Sequence, residues 1–242
     1  MLFRSCKMAK EKRVIHKLVP DEGVIEFESR LKQNILHLPK EIQEASGIVI
    51  NGRRIKSLLF TTDVALIHNC DADAIFAVYP FTAHRSISYS IISMASRPVF
   101  CGVGGAVTQG MRAVYLANDA ESQGAIGVVV NTRFPNSDLK RVAQLVDIPV
   151  VVTIVSGNKT HVGARIRHGA SILNVAGGKD TPKMVAKIRE DFPTIPIMAS
   201  GGKTPESIRA TIEAGANAII YSPPSSSELE KLLMEQYREE AK

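Results

Sequence analysis

From Ser57 onward the chain repeats one theme: a short, continuously apolar run that ends in small or polar residues and leads into a helix-like segment. The runs are SLLFT at Ser57, AIFAVYP at Ala74, PVFCGVGG at Pro98, AIGVVVN at Ala125, PVVVTIVS at Pro149, SILNVAGG at Ser171, PIMASGG at Pro196 and AIIYSPP at Ala218. Successive starts lie 17 to 27 residues apart, the length that a strand, a helix and two loops require. The runs do not alternate apolar with polar residues, so both faces of each strand are expected to be buried, as in a parallel sheet covered by helices. Eight evenly spaced units predict an α/β chain of the (β/α)8 TIM barrel type. An open doubly wound sheet, the competing arrangement, usually has fewer strands.

The segments between the runs carry helix punctuation. Thr181-Pro182 and Thr204-Pro205 each place a candidate N-cap before a proline at the first helical position. Glu206 adds negative charge in a first turn, where the helix dipole favours it. Gly124, Gly169 and Gly215 each follow a last helical turn and permit a left-handed cap.

Residues 1–56 read differently and are expected to form an N-terminal extension, a helix plus a hairpin, packed on a barrel of residues 57–242. EFESRLKQNILHLPKEIQEA has the pattern of an amphipathic helix interrupted at Pro39. In GIVINGRRIK, Asn51-Gly52 sits between β-prone residues and predicts a two-residue hairpin turn. The extension should cap the bottom of the barrel or pack across a contact between copies, which leaves a homo-oligomer as one expectation.

Composition narrows the function classes. Apolar residues make up 45% and charged residues 22%, as in ordinary globular proteins. No window approaches the roughly eighteen apolar residues of a membrane span, and MLFRSCKMAKEKR is too short and too charged for a secretory signal. Three cysteines, Cys6, Cys70 and Cys101, make neither a disulfide framework nor a paired-cysteine zinc site, which fits a reducing cytoplasm. The net charge of +6 is concentrated near the N-terminus (KMAKEKR, GRRIK) without interleaved aromatics, so nucleic acid is not the expected partner. A basic surface favours small anions.

In this architecture the site forms at the C-terminal ends of the strands. Gly201-Gly202 follow the seventh run and Ser222 ends the eighth, where glycine lets backbone N–H groups approach an anion. Gly177, Gly178, Ser200, Gly201, Gly202 and Ser222 are therefore the candidate phosphate-binding residues, and SPPSSSELEKLL adds a further helix start. Asp63 either acts as a general base or caps the helix that follows it. His84 can titrate near neutrality and Arg85 can hold an anion. Asn131, Arg133 and Asn174 also fall at strand ends and complete the catalytic candidates. Thr61, Thr62, Tyr79, Thr82, Thr153, Ser156 and Lys159 share that position without a distinguishing motif. Cys101 sits in mid-strand and is expected to be a buried apolar residue. No His/Asp/Glu cluster has convincing metal-ligand spacing, so no metal site and no cofactor is assigned and a divalent-metal requirement stays open.

The segment AGGKDTPKMVAKIREDFPTIPIMASGGKTPESIRATIEAGANAI resembles the C-terminal half of phosphate-binding TIM barrels, the broad group of ribulose-phosphate-binding and class I aldolase-like barrels. Its local pattern is similar to deoxyribose-phosphate aldolase over about 50 residues: Ala199-Ser200-Gly201-Gly202 and Glu213-Ala214-Gly215-Ala216 match. Met198 stands where that family has a lysine before the Ala-Ser-Gly-Gly, and Asn174 stands at its Schiff-base position. The resemblance thus implies the barrel and the phosphate cradle, while an asparagine cannot form an imine. Two functional expectations follow. One is an enzyme (lyase, isomerase or hydrolase) acting on a small phosphorylated metabolite. The other is a non-catalytic barrel that senses a phosphorylated ligand and resembles the glycerol-uptake antiterminator.

Overall fold

A computed structural model describes Val14–Leu18, Ile25–Ser29 and residues 35–241. Strand β1 (Val14–Leu18) pairs antiparallel with β2 (Ile25–Ser29). Part of the expected amphipathic helix is therefore a strand, because Ile-Glu-Phe-Glu-Ser alternates with the period of two that suits a strand. Among the described residues of that segment the helical part is a short 3₁₀ helix, Lys40–Glu44, entered through Pro39. KMAKEKR lies outside the described residues. A second hairpin follows, β3 (Ile48–Ile50) and β4 (Arg53–Ile55). Asn51 and Gly52 form its turn with φ of 49° and 79°, the left-handed backbone that a two-residue hairpin turn demands.

All eight apolar runs are strands of one closed parallel barrel. They are β5 (Ser57–Phe60), β6 (Ala74–Ala77), β7 (Val99–Gly104), β8 (Gly127–Val130), β9 (Val150–Ile154), β10 (Ile172–Val175), β11 (Ile197–Ser200) and β12 (Ala218–Tyr221). Each is followed by a helix: α1 (Val64–His68), α2 (Arg85–Met94), α3 (Gly110–Ser122), α4 (Asn136–Leu145), α5 (Lys159–Arg167), α6 (Thr181–Asp191), α7 (Pro205–Glu213) and α8 (Ser226–Glu240). The expected glycine caps are all in place, with φ of 97° at Gly124, 109° at Gly169 and 106° at Gly215. Thr204 caps α7 as expected. Thr181 is instead the first residue of α6. Its buried hydroxyl accepts from Gly177 N–H and donates to Gly178 O, tying the helix to the loop before it.

Two apolar clusters hold the barrel. The larger lies between the strands and the helices. The second fills the lumen with Leu58, Phe76, Phe100, Val129, Val151, Ile172, Met198 and Ile220. Phe100 has room because β8 carries Gly127 beside it: a Cβ there would lie 2.6 Å from the ring. Ile48, Ile50 and Ile55 of the β3–β4 hairpin belong to this lumen cluster, so the hairpin closes the end of the barrel where the strands begin. Val49, between two of them, is 60% exposed. The hairpin's alternation makes a direct prediction. Ile55→Ala should cost about 2–5 kcal/mol in denaturant unfolding, whereas Val49→Ala should stay within about 0.5 kcal/mol.

Candidate active site

The strand register sets one row of polar side chains at the top of the lumen. Val129, Val151 and Ile172 face the lumen, so residues two positions further on face it too. Val130 pairs with Val152, and Thr153 pairs with Asn174. Asn131, Thr153 and Asn174 consequently fall side by side on β9, on β10 and at the end of β8. All three are uncharged. Asn174 Nδ2 donates to Thr153 Oγ1 at 3.1 Å, while its Oδ1 is buried with no hydrogen-bond partner among the described residues. Asn131 Oδ1 accepts from Arg133 N–H at 2.9 Å, which leaves its Nδ2 as a donor.

A cleft of about 120 Å³ opens beside this row. Its walls include Val78, Tyr79, Gly102, Gly104, Asn131 and Thr153. Tyr79 Oη accepts from His84 N–H at 2.9 Å, so its own proton remains available to a ligand. Phe60, Phe81, Val107 and Val155, all exposed, ring the mouth with apolar surface.

On the opposite side lies the glycine-rich seat. Ser200 pairs with Ile220, so the loops leaving β11 and β12 start side by side. Ser200 and Ser222 stand two residues beyond the lumen positions Met198 and Ile220. Neither Gly201 N–H nor Gly202 N–H makes a hydrogen bond among the described residues, and Gly202 has φ of 82°. Gly201 is also held to glycine by packing, because a Cβ would sit 2.8 Å from Ile219 Cγ2. Gly177 does not join this seat as a donor, since its N–H goes to Thr181 Oγ1 at 3.0 Å. Gly178 is exposed in the left-handed region, φ 59°.

The start of α8 is occupied by the chain itself. Ser225 and Glu228 form a capping box in which Glu228 Oε2 accepts from Ser225 N–H at 2.8 Å. These bonds from Ser225, with Lys203 nearby, hold the Glu228 carboxyl below its usual range. Asp63 Oδ2 accepts from Ser226 Oγ. A second anion is therefore disfavoured at the α8 N-terminus, and the free anion donors are those of β11 and β12.

Of the remaining catalytic candidates, Asp63 is the N-cap of α1, its Oδ1 accepting from Ala65 N–H at 2.9 Å. Both of its oxygens are thus engaged in structure. Arg85 turns away from the mouth and pairs with Asp119 of α3 at 2.9 Å. His84 is exposed at the start of α2, and Arg133 is exposed on the loop that carries Asn131. Residues that no motif marked also matter here. Tyr79 and Thr153 line the cleft by position alone. Arg165, from α5, donates to the carbonyls of Thr132 and Phe134 and to Asn136 Oδ1. It clamps the loop that holds Asn131, and burial lowers its pKa.

No protein-family model and no curated relative matches the sequence. Solved structures do match in fold. A phosphonopyruvate hydrolase in complex with oxalate and Mg²⁺ superposes with a TM-score of 0.58 at 12% identity, over 78% of this chain and 82% of that one. 2,3-Dimethylmalate lyase, a PEP mutase/isocitrate lyase superfamily member, gives 0.56 at 13%, over 83% and 84%. A dihydrodipicolinate synthase from Agrobacterium tumefaciens gives 0.55 at 14%, over 76% and 72%. The likeness establishes the TIM barrel. Among the described residues no group of three or more His, Cys, Asp or Glu side chains is placed to hold a metal ion. Nor is any helix among them long and apolar enough to cross a membrane.

Two outcomes follow from this geometry. Arg165→Lys replaces a planar fork by a point charge and leaves carbonyls unmet, so unfolding should become easier by about 1–3 kcal/mol. Burial pushes the Cys101 thiol up to about 12. In the native protein, alkylation followed by peptide mapping should leave Cys101 unmodified at pH 8, because the thiolate is the reactive form.

Proposed function

We propose that this barrel binds a small phosphorylated metabolite across its C-terminal mouth and acts on it as a lyase, isomerase or hydrolase. The observation that carries the reading is the pair of uncommitted N–H groups at Gly201 and Gly202, set between Ser200 and Ser222 with Lys203 next in sequence. Backbone donors that approach closely, backed by a cation, suit a phosphate ester. The organic part of the substrate would then reach the row Asn131–Thr153–Asn174. There Asn131 Nδ2 and the Thr153 hydroxyl can donate to an oxygen on which negative charge develops. With Asp63 engaged, the proton-transfer candidates are His84 and the Tyr79 hydroxyl bonded to its backbone. Two of the barrels of this shape are named for phosphonopyruvate and 2,3-dimethylmalate, small organic acids that agree with an anionic substrate.

One observation favours a second reading, a barrel that senses such a ligand without transforming it. The polar row carries no charge, and the carboxylate nearest the strand ends is spent on two hydrogen bonds. Turnover separates the two readings, because a sensor would bind a phosphate ester and leave it unchanged.

The test is a thermal-shift series with inorganic phosphate, glycerol phosphate and pentose phosphates. A cognate ligand at a hundred times its Kd should stabilise the protein by about 2.7 kcal/mol. Lys203→Gln removes an exposed charge without placing a like charge beside Glu228, and should weaken that ligand about tenfold with little change in the unliganded Tm. Silence from every one of these anions would remove the phosphate seat.

A further inference from the structure

We infer that Asn174 and Thr153 form a hydroxyl-recognition subsite, so that the ligand is a phosphate ester bearing an alcohol group rather than a plain alkyl or oxo ester. The inference rests on the phosphate reading above and adds to it the chemistry at the other end of the ligand.

The starting point is a side chain that the fold leaves incomplete. Asn174 is only 5% exposed, and its Oδ1 is buried without a partner. An unpaired buried acceptor is costly, and native interiors rarely keep one. A leucine would fill the same volume beside Met198 without that cost. A carbonyl oxygen can only accept, so whatever completes it must bring an O–H or N–H. Thr153 supplies the other half. Its Oγ1 already accepts from Asn174 Nδ2, so its own proton is free to donate. The required partner therefore donates to Asn174 Oδ1 and can accept from the Thr153 hydroxyl. An ammonium cannot accept and a ketone cannot donate. An alcohol does both, and it needs no counter-charge in a row that has none.

Size agrees with a small group. Thr153 also lines the cleft of about 120 Å³ that opens beside this row. That admits a short alcohol-bearing carbon chain.

The experiment compares ligands that differ by one hydroxyl. Wild-type protein and Asn174→Leu are titrated with n-propyl phosphate, 2-hydroxypropyl phosphate and 3-hydroxypropyl phosphate, with inorganic phosphate as the reference for the seat. Wild type should bind one of the hydroxypropyl esters about tenfold more tightly than the propyl ester, the worth of one buried hydrogen bond. Asn174→Leu should lose that preference while still binding inorganic phosphate as wild type does, and its unliganded Tm should not fall. Thr153→Val removes the donor from the other side and should collapse the preference as well, which keeps the test decisive if Asn174→Leu folds poorly. Equal wild-type affinity for the propyl and hydroxypropyl esters would mean that solvent completes Asn174, and would overturn the inference. So would a preference that survives both substitutions. In either case binding of all the esters leaves the phosphate seat standing. Silence from every ester and from inorganic phosphate is the distinct result that removes the seat, and this subsite with it.

Discussion

Closure of eight parallel strands is the constraint on which the rest of this molecule depends. Each strand gives its backbone hydrogen bonds to two neighbours, so the barrel has no edge. Strands with every residue buried, such as β6, β8, β10 and β12, must present apolar side chains both inward and outward. Polar chemistry is thereby pushed to the ends. At one end the β3–β4 hairpin seals the lumen with isoleucines. At the other the lumen runs out into Asn131, Thr153, Asn174, Ser200 and Ser222. The site lies where the apolar filling stops.

The loops at that end are held by cations that meet carbonyls rather than carboxylates. Arg165 fixes the loop after β8 in this way. At the opposite end Arg189 donates to the carbonyls of Pro193, Ile195 and Gly215 and to Asn217 Oδ1. Burial lowers the pKa of both guanidinium groups. A planar fork that satisfies several carbonyls at once suits this task, since the last backbone groups of strands and helices have no partner in their own element. The carboxylates follow a similar logic at helix starts. Asp63, Asp138 and Glu228 each accept from a backbone N–H there. Acidic side chains that might have furnished the mouth with catalytic charge are committed to building its rim.

Much of the fold was legible because its signals are local. Eight apolar runs, the glycines after α3, α5 and α7, the Thr204 cap and the Asn51-Gly52 turn each depend on a few adjacent residues, and the structure has them all. The N-terminal segment was less legible: a helical period over residues 26–45 competes with the two-residue alternation of Ile25–Ser29, and pairing with Val14–Leu18 favours the strand. The candidate site was legible as a set of strand ends but not as a set of roles. Asp63 and Arg85 both stand at the right place in sequence. One is tied to Ser226, 163 residues away, and the other to Asp119 on the helical layer.

The sequence by itself determined the barrel, its punctuation and the absence of a lysine at residues 174 and 198, because these are matters of composition and short-range spacing. Only the tertiary structure decided which polar groups meet and which are left over. In a strand buried on both faces, a polar residue carries no mark of the face it occupies. The register that sets Asn131, Thr153 and Asn174 in one row arises when the strands close on each other. The unpartnered Asn174 Oδ1 exists only once its neighbours are in place, since satisfaction of a hydrogen bond is a property of the assembled interior and not of the residue.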